Sequence, residues 1–192
     1  MQNANLTVDV SVSDSLLESG DDDVPEPGRL QHWAQAAYLK QTPAIVSLYI
    51  ASSDEIQQMN KQYRNKDKPT NVLSFPMPTD ASWPELPRSL ADDTCADIDD
   101  EDRQADLGLL GDIALCAEVI RQEAEQQHKP ADAHWAHMVV HGMLHLQDYD
   151  HIDEAEAEQM EQLETSILAK LGIAAPYKDT DRDTDKDTGT GT

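Results

Sequence analysis

The sequence predicts an α/β (α+β) fold, a single domain of four strands and about five helices. Three observations carry this expectation. At 192 residues the chain is long enough for one domain with a sizeable core and too short for two comfortable ones. Strand-like and helix-like patterns are interleaved along it. One helical stretch, about 131–147, is apolar nearly all round and therefore belongs in the middle of the domain rather than on its surface.

Leu6, Val8, Val10 and Val12 alternate with polar neighbours, the period-two pattern of a half-buried strand. A loop follows over ESGDDDVPEPG. Residues 30–41 (LQHWAQAAYLKQ) read as a helix with Leu30, Trp33, Ala37 and Leu39 facing inward, broken by Pro43. AIVSLYI (44–50) is the second strand. Ser52 with Glu55 three residues on forms a capping-box pattern that opens a helix through Tyr63. NVLSF (71–75) is the third strand, closed by Pro76 and Pro78, and LGLLGDIALC (107–116) is the fourth. Glu118 to His128 is a helix ended by Pro130, and the apolar helix follows it. Asp153 with Glu156 opens a last helix whose stripe is Met160, Leu163, Ile167 and Leu171, with Gly172 as its stop.

Between the third and fourth strands, residues 80–106 carry ten acids, two bases and hardly any apolar periodicity. They are expected to form an acidic surface insertion, disordered in part. The repetitive acidic tail, 179–192, is expected to be disordered. Residues 1–178 then form one domain that contains the insertion.

The net charge of -24 argues at first against a nucleic-acid partner, but its distribution matters more than its total. Only residues 30–79 run positive, with Lys40, Lys61, Arg64, Lys66 and Lys68 against Asp54, Glu55 and Asp67. An anionic ligand should meet that segment. No run approaches the roughly 18 apolar residues of a membrane helix, so no membrane association is expected. The N-terminus has no basic patch followed by an apolar stretch, so no signal peptide is expected. The two cysteines, Cys95 and Cys116, are only a pair, and Cys95 lies in the acidic segment, so no structural disulfide is expected and the expected location is cytoplasmic.

The polar exceptions on the apolar helix are His134, His137, His141 and His145, and the last three recur every four residues on one face. Two histidines at i and i+4 aim both imidazoles at one point and make a bidentate metal site. His151 can join His141 and His145 only if the chain reverses sharply over Gln147-Asp148-Tyr149. A continuing helix would rotate it by about 240°. Asp adopts the left-handed backbone of such a reversal more readily than most residues. The offsets of zero, four and ten match the metzincin ligand spacing, and three neutral imidazoles leave a fourth position for water, as in a catalytic zinc site. A lone buried histidine is usually a hydrogen-bonded core residue, and His137 fits that description, packing or bonding one turn back. Burying three such rings on one face costs more than a core gains unless something coordinates them. The general-base Glu of metallopeptidases is replaced by Gly142, which argues against peptide hydrolysis.

HGMLHLQDYDH (141–151) resembles the signature of the YbeY family of bacterial endoribonucleases, H-G-x-L-H-L-x-G-Y-D-H, with Asp148 standing where the family usually has Gly. YRNKDKPTNVLSFP (63–76) and LGDIALC (110–116) resemble two further family signatures in the same order and spacing. The resemblance spans roughly 30–76 and 107–178. It implies a small mixed sheet packed with helices around a central motif helix, and one Zn2+ per chain held by His141, His145 and His151. Arg64 is the implied basic residue beside the metal. The implied activity is cleavage of single-stranded RNA in 3′-end maturation of 16S rRNA precursors and in ribosome quality control. The implied partners are pre-ribosomes, small-subunit ribosomal proteins and the GTPase Era.

Arg64 suits the catalytic role because its guanidinium offers a bidentate fork to phosphate oxygens. The competing reading of that residue is a surface salt bridge with Asp67. Lys61, Lys66 and Lys68 fit generic phosphate contacts or plain solvation equally well. Asp150 fits either a partner for a ligand imidazole or a turn residue. The alternative for the whole chain is a non-catalytic metal-binding ribosome assembly factor, in which the metal is structural.

Overall fold

The computed structural model describes residues 5–19, 24–77, 108–149 and 154–174. The insertion 80–106, the tail 179–192, Asp150 and His151 lie outside the described residues. Four strands form one sheet: β1 (Leu6–Val12), β2 (Ala44–Ala51), β3 (Val72–Pro76) and β4 (Leu109–Cys116). Their spatial order is β1-β2-β4-β3. The first three in that order run parallel and β3 runs antiparallel to β4, so the sheet is mixed. Among the described residues there are six helices: α1 (Asp14–Ser19), α2 (Pro27–Ala37), α3 (Ser53–Arg64), α4 (Ala117–Gln126), α5 (Ala131–His145) and α6 (Glu154–Lys170).

The alternation along β2 explains the layering. Ala44, Val46, Leu48 and Ile50 are buried and join the main core with Leu30, Trp33, Trp135, Val139 and Met143 from α2 and α5. Ile45 stays 39 % exposed, and Ser47 and Tyr49 are half-buried on the opposite face. On that second face α3 forms a smaller cluster in which Ile56 meets Leu73, Ala114 and Cys116. Helix α5 contacts α2, α4, α6, β3 and β4, as expected of a helix apolar all round.

Three details differ from the sequence reading. The short helix α1 lies between the first expected strand and the expected loop, where the sequence reading assigned no element; Ser13 opens it, its carbonyl accepting from the Leu16 and Leu17 N–H groups. Helix α2 begins three residues early, with Pro27 in its first turn, where a missing N–H costs nothing. It also ends at Ala37 rather than at 41, and Leu39, expected inside, is 38 % exposed. The cause is Gln147, a buried side chain at the far end of α5. Its Nε2 donates to the Ala37 carbonyl (2.9 Å), and its Oε1 accepts from Leu39 N–H (2.8 Å). These bonds replace the helical ones that would continue α2 and tie its end to α5.

Gly111 accounts for the irregular pairing at the start of β4, where Ile45 faces Leu109 but Val46 faces Gly111. Its φ of 141° and the Phe75 carbonyl lying where a Cβ would project admit only glycine.

Candidate metal centre

His137 and His141 turn from α5 towards α6, where Glu164 is fully buried. A buried carboxylate needs partners, and Glu164 Oε1 lies 2.7 Å from His141 Nδ1 while Oε2 lies 3.4 Å from His137 Nε2. His137 therefore bonds across to α6 and also packs edge-on against His134 one turn back (ring centroids 6.2 Å apart), the contact expected from the sequence. His137, His141 and Glu164 place three ligand-type atoms within 4.8 Å of one another, a group able to hold a metal ion.

A carboxylate only accepts, so the contact fixes the proton on His141 Nδ1 and leaves the Nε2 lone pair facing outward. That Nε2 lies 3.1 Å from Nε2 of His145. Two ring nitrogens this close hold either a proton or a cation between them. The separation is near the roughly 3.3 Å expected of two imidazoles on one tetrahedral zinc. The residues present therefore fit a metal ion. At 2.7 Å, His141 Nδ1 and the carboxylate oxygen are at hydrogen-bond distance, too close for an ion between them. Glu164 is better placed behind the imidazole than on the metal, and the Nε2 pair is the better ligand set.

The chain reverses directly after this pair. Asp148 has φ 68°, the left-handed conformation expected of it. Tyr149 N–H bonds the Leu144 carbonyl (3.1 Å) and Asp148 N–H bonds the His145 carbonyl (3.3 Å), the two bonds of a Schellman motif with Asp in the usual glycine position. Beyond it, His151 and Asp150 fall outside the described residues. Gly142, next to His141, faces the sheet. A Cβ there would lie 3.0 Å from Ile113 and 3.3 Å from the Ser74 hydroxyl, so the position that carries the base in peptidases has no room for a Glu.

Arg64 comes from a different element. It ends α3, on the sheet face opposite α5, and is exposed. Strand β3 stands between: Ser74 meets Gly142 of α5, while the neighbouring Phe75 meets Tyr63 of α3. The salt bridge weighed for Arg64 is not made, because Asp67 pairs with Lys61 (2.6 Å) and accepts from Gln57. The Lys61 contact, then the Gln57 one, holds the Asp67 carboxyl below its usual range. Asn60, buried in α3, donates to the Lys68 carbonyl and accepts from Lys66 N–H through its own carbonyl, so the basic loop after α3 has a fixed path.

A second His–Glu pair, buried at His134 and half-buried at Glu123, is structural. His134 Nε2 lies 2.8 Å from Glu123 Oε2, and Asn71 donates to the same carboxylate at 3.0 Å. The His134 bond is the main reason the Glu123 carboxyl sits below its usual range. Asn71 also links β3 to β4 through its backbone, so one polar cluster locks α4, α5 and the sheet together.

Glu164 is the site residue that sequence reasoning missed. Its signal was positional: it stands four residues after Met160 and three before Ile167, an acid on the apolar stripe of an otherwise acidic helix.

A mixed sheet around a buried central helix, with histidines converging in front of a buried carboxylate, defines an α/β protein with a candidate histidine metal centre. The model of the family Endoribonuclease YbeY matches residues 27–172. The chain is 44 % identical over 166 residues to Endoribonuclease YbeY of Cellvibrio japonicus, covering 85 % of this chain and 81 % of that one. It is 41 % identical over 182 residues to the protein of the same name from Idiomarina loihiensis, covering 93 % and 95 %. A solution structure of a Thermotoga maritima protein aligns over 90 % of this chain and 99 % of that one, at 19 % identity and a TM-score of 0.43. The chain belongs to the YbeY family of endoribonucleases.

Proposed function

We propose that this protein is a zinc-dependent endoribonuclease that cuts single-stranded RNA in the cytoplasm, acting on rRNA precursors in 16S rRNA 3′-end maturation and in ribosome quality control. The observation that carries the reading is the 3.1 Å approach of His141 and His145 Nε2 in front of buried Glu164, in a member of this family. In this reading His141, His145 and His151 hold the ion. The left-handed turn at Asp148, which reverses the chain just after His145, supports this reading.

Held by these residues, a zinc ion would supply a bound water of near-neutral pKa and a Lewis acid for a phosphoryl oxygen. The chain's own residues supply the rest. Glu164 holds His141 in the tautomer and orientation that presents Nε2. Arg64 binds the phosphate, its exposed guanidinium making no ion pair among the described residues. Gly142 excludes the peptidase base. The family resemblance adds pre-ribosomes, small-subunit ribosomal proteins and the GTPase Era as partners. No helix among the described residues is long and apolar enough to cross a membrane.

Incubating purified protein with single-stranded RNA, with and without chelator, tests the proposal beside a His145→Ala control. Cleavage that needs both the metal and His145 is the expected result. Folded, zinc-loaded protein that leaves RNA intact would move the reading to a non-catalytic assembly factor.

A further inference from the structure

The sheet face opposite the histidines carries a groove of about 440 Å³ that the account so far does not use. It is lined by Ser47, Tyr49, Met59, Tyr63, Phe75 and Asp112. Three of these are aromatic, in a chain with only nine Phe, Trp and Tyr residues, so their gathering is not a matter of abundance. Tyr63 is 63 % exposed although its ring could have been buried against the sheet. It stands edge-on to Phe75, with centroids 5.0 Å apart and planes at 66°. Tyr49 is pinned by its hydroxyl, which donates to Glu55 at 2.9 Å. The rings are therefore held in position before any ligand arrives, which lowers the ordering cost of binding.

The chain that follows Tyr63 has the opposite character. Arg64 follows Tyr63 directly, and the loop fixed by Asn60 carries exposed Lys66 and Lys68. This is the chain's single net-positive stretch, whereas the protein as a whole carries -24. Aromatic faces next to a cationic segment match a single-stranded nucleic acid, whose bases stack while its phosphates seek positive charge. Asp112, exposed within the groove, repels phosphate and accepts from base amino groups, which favours bases inside and backbone on the α3 side.

We propose that this groove binds unpaired bases of the RNA substrate next to the cleaved bond, with their phosphates on Arg64, Lys66 and Lys68. The proposal rests on the endoribonuclease reading and gives it a specificity element. Edge strand β3 separates the groove from the histidine helix, so one RNA strand crossing that edge engages both. Selectivity for single strands follows, because paired bases cannot offer their faces to Tyr63 and Phe75.

Fluorescence anisotropy on the full chain without added metal tests this with two probes, a short oligoadenylate and an abasic oligomer with the same phosphates. Tyr63→Ala should weaken oligoadenylate binding by roughly tenfold, the usual cost of one lost stacking ring. It should leave the abasic oligomer unaffected, and Tyr63→Trp should restore binding. Phe75→Leu, which keeps an apolar side chain in the sheet, should act in the same direction. Changing Lys66 and Lys68 to Gln should weaken both probes and flatten the salt dependence. If Tyr63→Ala and Phe75→Leu are folded and bind both probes as the wild type does, the bases dock elsewhere. In that case wild-type RNA cleavage would still stand, so the two readings fail separately. A wild-type dimer that Tyr63→Ala disperses would assign the groove to a second copy of the chain and overturn the proposal. Absence of both binding and cleavage in the wild type would remove the endoribonuclease reading and the groove with it.

Discussion

Glu164 decides how the histidine face behaves, because among the described residues it is the one carboxylate buried there completely. Its bond to His141 Nδ1 fixes which ring nitrogen can serve a metal. Glu164→Gln keeps the side-chain volume but loses the ionised acceptor. Zinc affinity should fall by about 10–100-fold, the usual effect of removing such a partner, while the fold is kept. Competition with a chromophoric chelator measures it; unchanged affinity would assign Glu164 a packing role only. Asp148 is the second decisive residue. Relieving its left-handed backbone is worth about 1 kcal/mol, partly offset by the greater freedom of Gly in the unfolded chain. Asp148→Gly should therefore be neutral or slightly stabilising in thermal melts, with zinc retained. A clear loss of either would contradict this account of the turn. At this scale the approach of His141 to His145 and the turn at Asp148 were legible because i, i+4 spacing and backbone sterics act locally. Glu164 was not, because its partners lie 23 and 27 residues away and only folding brings them together.

Among the elements, α3 shows how a local signal becomes structure. Glu55 accepts from the Ser52 backbone N–H (2.8 Å) and hydroxyl (2.7 Å), the capping pattern read from the sequence. Burial works to raise the Glu55 pKa, but hydrogen bonds from Ser52, Ser13 and Tyr49 outweigh it and lower the value from 4.5 to about 2. A depressed carboxylate stabilises the fold fully above its unfolded pKa and loses that contribution as pH falls through the folded one. Ser52→Ala should thus cost about 1 kcal/mol at neutral pH. The difference from wild type should shrink as pH drops from 4.5 towards 2. Urea unfolding across that range checks the sign, and a penalty that grows with acidity would refute it. Strands and long helices were legible from periodicity and capping. The early end of α2 was not, since Gln147 enforces it from the far end of another helix.

At the scale of the whole molecule, charge is segregated. The basic stretch spans the end of α3 and the loop after it, next in sequence to Tyr63 of the aromatic groove, while the insertion 80–106 and the tail 179–192 hold much of the acid. Deleting both removes a net eleven negative charges, eight from the insertion and three from the tail. Folding and zinc binding should survive, and RNA affinity should rise at low salt and converge with wild type at high salt. Weaker or unchanged binding by the folded deletion would contradict the electrostatic account. The interleaved pattern foretold an α/β fold, but strand order and the two faces of the sheet could not be read without knowing which strands pair. The groove on the far face belongs to that illegible part, because Tyr49, Tyr63 and Phe75 come from three separate elements.

The central claim is that the histidines hold the metal and Arg64 serves only the phosphate. Zinc content and single-stranded RNA cleavage rate, measured on the same preparations of wild type, His145→Ala and Arg64→Ala, test it most directly. His145→Ala should lose both. Arg64→Ala should keep its zinc and melting temperature while cleavage slows by the roughly 2.7–4 kcal/mol typical of a lost charge-stabilising donor. His145→Ala protein that retains zinc and cleaves at the wild-type rate, or Arg64→Ala protein that cleaves normally, would contradict the account.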